Sequence, residues 1–485
     1  MQLNILLKNI EYYGNPDSRD ISYITHDSRK VKKGTLYIAL KGYKNDGHDY
    51  IFDAIKKGAI AVIANGRAPI TNKVPIIQVK NPRKAMSKIA SNFFNKPSNS
   101  LKIIGITGTN GKTTTTQIIN HILKNNKICS GSLGTLGFDT PSGIQSTNFT
   151  TPESIELQQI LKIMKDGGVN YVPMEISSHA IEMNRIDHVN VKIAIFTNLG
   201  HDHLDFHGNI ENYFLSKLKL FKRLNKKSTA IINADDKYFN RIKKTLKCQC
   251  LSFGFSEKAD LHVVKYNFNL NGIQATLKYK KNIIKVETPL VGKFNLYNIL
   301  ASIICAFKIG VDVKGIEKAL KTIRNIPGRF EKFILPKKQG YAIIDYAHSP
   351  DAYENIFQNI YKLKGNKKIT TIFGCGGERD KIKRPLMAKI VENYSQKIIV
   401  TNDNPRNENY NLIIEDIVSG FEKNNYKIIK NRREAILDGL NSADNSIVLI
   451  LGKGIENYQI IKDEKMPHSD IAVVKEYIHA NRNTR

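Results

Sequence analysis

The sequence predicts an α/β protein of three units, the two larger ones built on mostly parallel sheets, and three observations carry that prediction. Lys102-Ile103-Ile104-Gly105-Ile106-Thr107 is a β-branched run that feeds the turn Gly108-Thr109-Asn110-Gly111-Lys112-Thr113-Thr114, after which Ile118, Ile119, Ile122 and Leu123 recur at helical spacing. Short apolar runs alternate with helical stretches through residues 99–328 and again from 329 onward, the pattern of strand–helix–strand units covered on both faces. Each apolar run ends in a cluster of polar residues, and open α/β sheets gather ligands at those carboxyl ends.

Taken in order, residues 1–98 form a small α/β module. It holds Thr25-His26-Asp27-Ser28-Arg29, the run from Gly34 to Gly42, and Asn45-Asp46-Gly47-His48-Asp49-Tyr50, with a helix over about 50–58. The polar run Asn95-Lys96-Pro97-Ser98-Asn99-Ser100 suits a linker. In residues 99–328 strands are predicted at 102–107, 171–176, 192–197 and 229–233; two of them run into Glu175-Ile176-Ser177-Ser178-His179 and Thr197-Asn198-Leu199-Gly200-His201-Asp202-His203. From Pro327-Gly328-Arg329 a further α/β unit begins, with strands near 341–345, 369–373, 397–401 and 446–451. These run into Asp345-Tyr346-Ala347-His348, Gly374-Cys375-Gly376-Gly377-Glu378-Arg379-Asp380, Asp403-Asn404-Pro405-Arg406 and Gly452-Lys453-Gly454.

Composition narrows the class. No apolar run reaches the ~18 residues needed to cross a bilayer, and the first ten residues are too mixed for a signal peptide, so a cytoplasmic protein without membrane contact is expected. The five cysteines are scattered with no C-x-x-C pair, which indicates neither a disulfide framework nor a zinc site. A formal net charge of +30 would suit a nucleic-acid partner. The lysines are nevertheless spread evenly among isoleucine and asparagine with no dense basic tract, so no nucleic acid is expected and the charge serves to attract anionic substrates.

The glycine-rich turn carries the chemistry. Gly108 and Gly111 let successive backbone N–H groups point inward, and the helix that follows adds the positive end of its dipole, so the turn is read as a phosphate-binding loop. Lys112 supplies a point charge for phosphates, and the Thr113 hydroxyl can ligate Mg2+. The strict loop pattern has glycine where this chain has Ile106. Two readings remain open on the residues alone: His201, Asp202, His203, Asp205 and His207 could form a metallohydrolase cluster, and a basic nucleotide-dependent protein could act on nucleic acid.

The loop, Glu175-Ile176-Ser177-Ser178-His179, Asn198-Leu199 with Asp202-His203-Leu204-Asp205, Asp345-Tyr346-Ala347-His348 and Asp403-Asn404-Pro405-Arg406 stand in the order seen in Mur ligases, which build peptidoglycan precursors. The chain resembles that family over essentially its whole length, and among its members those that add the third amino acid, diaminopimelate, to UDP-N-acetylmuramoyl-L-alanyl-D-glutamate. The resemblance implies an ATP-dependent amide ligase with three domains: 1–98 for the UDP-sugar, a central P-loop ATPase domain at 99–328, and a Rossmann-like amino-acid domain at 329–485. A substrate carboxylate would attack ATP to give an acyl phosphate, and the amine of the third amino acid would displace phosphate.

The same resemblance assigns residues. ATP falls to Gly108, Thr109, Asn110, Gly111, Lys112, Thr113, Thr114, Asn298 (or Asn295), Arg329 and Asp345, with His348 near the phosphates. Mg2+, expected as two ions, falls to Thr113, Glu175, His203 and Lys217, the last as a carbamate; Lys112, Lys217, Glu175 and His203 form the catalytic set. The UDP-muramoyl dipeptide falls to Ser28, Tyr43, Lys44, Asn45, Thr150, Thr151, Ser177 and Arg185, while Met183 replaces a glutamine found in some members. Diaminopimelate falls to Arg379, Asp403, Asn404, Pro405, Arg406, Gly452 and Glu456, because a planar guanidinium can take its second carboxylate through two parallel bonds. A lysine-adding relative and a folylpolyglutamate-synthase-like ligase are the alternatives within the class. Small-molecule partners, a monomer and a closing motion of the third domain are expected.

Overall fold

A computed structural model describes residues 1–42, 45–66, 73–140, 143–147, 149–336 and 340–482. The first unit is a parallel four-stranded sheet of Tyr23–Thr25, Thr35–Ile38, Ala59–Ala64 and Ile76–Gln78 in that order. The helix expected over 50–58 is a 3-10 turn at Gly47–Tyr50 running into a helix at Ile51–Lys56. Pro82–Phe93 follows as a helix, started by the Asn81 side chain accepting from Lys84 N and by Pro82 in its first turn. The expected linker holds the 3-10 turn Pro97–Asn99.

Among the described residues the second sheet has eleven strands. Its parallel centre sets Lys102–Thr107 between Val191–Phe196 and Tyr171–Glu175, with Thr229–Asn233, Gln249–Gly254 and Leu261–Asn269 beyond the first. Alternation sorts the strand residues. Ile104 and Ile106 enter the core under the helices Lys112–Asn125 and Lys293–Ile309, while Ile103 joins the opposite core with Leu157, Tyr213 and Phe214. Each such buried side chain stabilises the unit by about 1.5–3 kcal/mol. Beyond the strands read from sequence, Leu261–Asn269, Gly272–Tyr279 and Asn282–Thr288 form an antiparallel edge.

Among the described residues the main sheet of the third unit has six strands, Glu331–Leu335, Gly340–Asp345, Ser446–Leu451, Lys368–Phe373, Lys397–Val400 and Tyr426–Ile428, beside a separate antiparallel pair, Tyr458–Ile461 with Glu464–Pro467. Within the six-stranded sheet all pairs are parallel except the first, an antiparallel edge. Its seam with the central unit has two characters. Leu270 and Val291 join the third unit's core with Phe330, Ile356 and Phe357, and the Phe294 and Phe330 rings lie 5.5 Å apart. Toward the glycine-rich turn the contacts are polar: His201 N donates to Asp351 Oδ2 at 2.6 Å, and Arg329 Nη2 donates to Thr113 Oγ1 at 3.1 Å.

Candidate active site

The glycine-rich loop sits where Lys102–Thr107 ends, and its shape is fixed by the residues that follow the neighbouring strand Val191–Phe196. Thr109 N donates to Asn198 O at 2.9 Å, Asn110 N donates to Asn198 Oδ1 at 3.0 Å, and Thr197 Oγ1 and Asn198 Nδ2 both donate to Asn110 O. Gly111 has φ +85°, and a Cβ there would stand 2.3 Å from Asn298 Oδ1. At Gly108 a Cβ would lie 1.9 Å from Thr197 Oγ1. Glycine is therefore required at both positions.

Lys112 begins the helix Lys112–Asn125, and its ammonium donates to Gly108 O at 3.0 Å and Thr109 O at 2.8 Å. Lys217, one per cent exposed on the helix Ile210–Lys222, reaches the same Gly108 carbonyl at 2.9 Å. Burial, and then the neighbouring Lys112 charge, holds the Lys217 amine well below the usual lysine range. Such an amine is more readily neutral and nucleophilic.

Thr113 Oγ1 donates to Glu175 Oε2 at 2.9 Å, so a hydroxyl and a carboxylate stand together at the start of the helix. Thr135 N also binds Glu175 Oε1 at 2.8 Å. His203 stands 3.4 Å from Asp202 Oδ2, and burial lowers its imidazole below the usual range. The donor set fits a divalent cation: oxygens from Thr113 and Glu175, an imidazole, and Lys217, which would contribute oxygen only if modified. The five-residue hydrolase cluster does not assemble. The His179 and His203 rings pack edge to face at 4.8 Å, His207 Nε2 pairs with Ser178 Oγ at 3.0 Å, and among the described residues no group of three His, Cys, Asp or Glu side chains is placed to hold a metal.

Residues assigned to the dipeptide adjoin this centre. Thr151 Oγ1 donates to Glu175 O at 2.8 Å and accepts from Ser177 N, Thr150 Oγ1 meets Thr135 Oγ1 at 3.1 Å, and Arg185 Nη1 donates to Thr151 O at 2.9 Å. Arg185 also pairs with Glu153 at 2.8 Å and lies beside the Met183 sulfur. Nothing in the local sequence distinguishes Glu153 as that partner. Ser28 is half-buried in a 3-10 turn capped by Asp27, and Asn45 is exposed. Tyr43 and Lys44 lie outside the described residues.

From the third unit, Arg329 lies over the Tyr346 ring and bonds Thr113. Asp345 is used internally: its carboxylate accepts from Phe330 N and Ala347 N, bracing the segment that carries Arg329. Asn298 likewise supports the loop, accepting from Thr115 Oγ1 and donating to Asn295 Oδ1, while Asn295 donates to Val291 O. His348 Nδ1 is paired with Tyr346 O.

The Asp403–Arg406 turn and the Gly374–Asp380 loop face each other. Arg406, at φ +54°, donates from Nη1 to Gly377 O at 2.7 Å, and Gly377 N donates to Asn404 O at 2.9 Å. Gly452 is at φ +114°, where a Cβ would stand 2.7 Å from Asp403 Oδ2. Fully buried Lys453 donates to Asn404 Oδ1 at 3.0 Å and Glu456 Oε2 at 2.7 Å, and Asn404 Nδ2 also holds that oxygen. Lys453 was visible in sequence only as part of a glycine-flanked loop; its role needs the 49-residue separation to close.

Three family models match the chain: the Mur ligase catalytic domain over residues 20–94, the Mur ligase middle domain over 106–306, and the Mur ligase glutamate ligase domain over 328–454. The UDP-N-acetylmuramoyl-L-alanyl-D-glutamate–2,6-diaminopimelate ligase of Syntrophomonas wolfei is 39% identical, with 99% of each chain covered. That of Caldanaerobacter subterraneus is 41% identical, again with 99% of each covered. A solved structure of a ligase of the same name superposes with a TM-score of 0.68 at 29% identity over all of both chains.

Proposed function

The chain belongs to the Mur ligase family, and from that premise we propose how its cleft makes the amide bond between diaminopimelate and UDP-N-acetylmuramoyl-L-alanyl-D-glutamate. The observation that carries the reading is that the phosphate loop of the central unit and Arg329 of the third unit converge on Thr113, with Glu175 bonded to the same hydroxyl. Loop amides, the helix N-terminus, Lys112 and Arg329 neutralise the triphosphate of ATP. Arg185, with Thr151 and Ser177, orients the dipeptide so that its free carboxylate reaches the γ-phosphate; the acyl phosphate formed there is attacked by the amine, and ADP and phosphate leave.

Bound Mg2+ would offset phosphate charge, and Thr113, Glu175, His203 and Lys217 are the residues to hold it. The depressed basicity and burial of Lys217 support its reaction with carbon dioxide to a carbamate, which turns a cation into an oxygen ligand. Arg406 and Arg379 take the far carboxylate of diaminopimelate, with Glu456 toward its ammonium.

ADP-release assays on the full chain test the assignment. Release requires both the UDP-muramoyl dipeptide and diaminopimelate, lysine substitutes poorly, and DNA or RNA has no effect. Equal rates with lysine, or release stimulated by nucleic acid, would overturn it.

A further inference from the structure

Two arginines border Gly376: a Cβ built there would stand 3.1 Å from Arg406 Nη1 and 3.7 Å from Arg379 Cγ. Burial and then the Arg379 charge lower the Arg406 pKa, so the two guanidiniums repel and something must hold their loops together. The main-chain contacts already described are part of that hold. The rest comes from a residue outside the cleft, Arg384 on the helix Lys383–Tyr394, whose side chain has no exposed surface.

Arg384 grips Glu408 with both ends of its fork: Nη1 donates to Oε1 at 2.8 Å and Nη2 to Oε2 at 2.9 Å. Nη2 also donates to Gly376 O at 3.1 Å, and Nη1 to Asp416 Oδ2 at 2.8 Å. Glu408 Oε2 in turn accepts from Glu378 N at 2.8 Å. One guanidinium and one carboxylate thus pin the Gly374–Asp380 loop, which carries Arg379, to the segment just after Arg406. Hydrogen bonding from Arg384 holds the Glu408 carboxyl down at about 2. The pair is a charge-assisted clamp with fixed planar geometry.

We propose that the Arg384–Glu408 clamp is a positioning device that sets the spacing of Arg379 and Arg406, and through it the preference for an amino acid whose far end carries a carboxylate. The proposal rests on the reading that the Arg406 turn takes that carboxylate. Neither clamp residue touches substrate; a displacement of the loops weakens the bidentate contact while leaving the nucleotide and the dipeptide undisturbed.

The test compares Glu408→Gln, Arg406→Ala and the double variant by ADP release from the full chain with diaminopimelate and with lysine, alongside KM for ATP and the melting temperature. Glu408→Gln raises KM for diaminopimelate by about 10-fold or more, the worth of one charge-assisted hydrogen bond. KM for ATP and kcat/KM for lysine stay within about twofold, and in the Arg406→Ala background Glu408→Gln adds less than about twofold. Glu408→Asp, which keeps the charge but shortens the reach, takes its place if the glutamine variant does not fold. An unchanged diaminopimelate KM beside an impaired Arg406→Ala rejects the clamp and leaves the arginine reading standing. Unimpaired diaminopimelate use by Arg406→Ala rejects both, and equal losses for ATP and diaminopimelate reduce the pair to a structural one and reject the proposal.

Discussion

Replacing Asp470 by asparagine is the sharpest probe of what supports the loops that carry Asp403 and Gly452. Asp470 opens the helix Asp470–Arg482 and pairs with Arg432, Nη2 to Oδ2 at 2.7 Å and Nε to Oδ1 at 2.8 Å, with neither side chain exposed. Arg432 also donates to Asn402 O and Leu451 O, the residues that lead into Asp403 and Gly452. Asparagine keeps the shape and leaves the guanidinium buried without its counter-charge, which costs about 3–5 kcal/mol. At roughly 2–4 °C per kcal/mol for a unit of this size, the melting transition of the third unit falls by about 6–20 °C. Burial alone would raise the Asp470 carboxyl, but the Arg432 charge and the bonds from Arg432 and His468 pull it far below its usual range. A depressed carboxylate contributes stability that is present above the unfolded value of about 3.9 and lost as pH falls through the folded one. The gap between wild type and Asp470→Asn, followed by calorimetry, is therefore full near neutrality and narrows below about pH 4. A drop of less than about 3 °C at neutral pH, or a gap that widens in acid, would refute the reasoning.

Other expectations are checked as directly. Asp351→Ala removes the acceptor of His201 N and lowers kcat/KM for ADP release by about 10-fold, whereas Asp351→Asn retains an acceptor and most of the activity; equal losses would show that the bond is not the cause. Gly111→Ala meets Asn298 Oδ1 and strains a left-handed residue, a cost of about 1–3 kcal/mol, so calorimetric ATP binding is abolished in a protein that still folds. Lys217→Ala loses at least about 100-fold in ADP release. Labelled bicarbonate gives a carbamate resonance in the wild type that this variant lacks; full activity of the variant would remove the carbamate from the account.

The elements legible in the sequence were those with local causes. Lys102–Thr107, Thr229–Asn233 and Ser446–Leu451 have the bounds their β-branched runs predict, because fully buried parallel strands read as continuous apolar stretches. The antiparallel edge at 261–288 was not legible, although Gly272–Tyr279 alternates buried and exposed residues and Asn271-Gly272 is a hairpin signal in sequence; the two-residue turn falls one position earlier, at Leu270-Asn271, because Asn269 pairs with Gly272. Its half-exposed strands resemble polar loops in composition. In the site, loop glycines and the Glu175 and Arg406 turns were legible as motifs following strands. Glu153, Lys453, Arg384 and Asp351 were not, since each acts on a partner that only folding brings near: Asp351 meets His201 across 150 residues.

The two characters of the seam between the central and third units make separation unequal in cost on its two flanks. Water can replace the partners of Asp351, His201, Arg329 and Thr113 at small net cost, whereas parting Leu270, Val291 and Phe294 from Phe330 and Phe357 exposes apolar surface with no replacement. The apolar flank is thus the costly one to part and the polar flank, beside the glycine-rich loop, the cheap one.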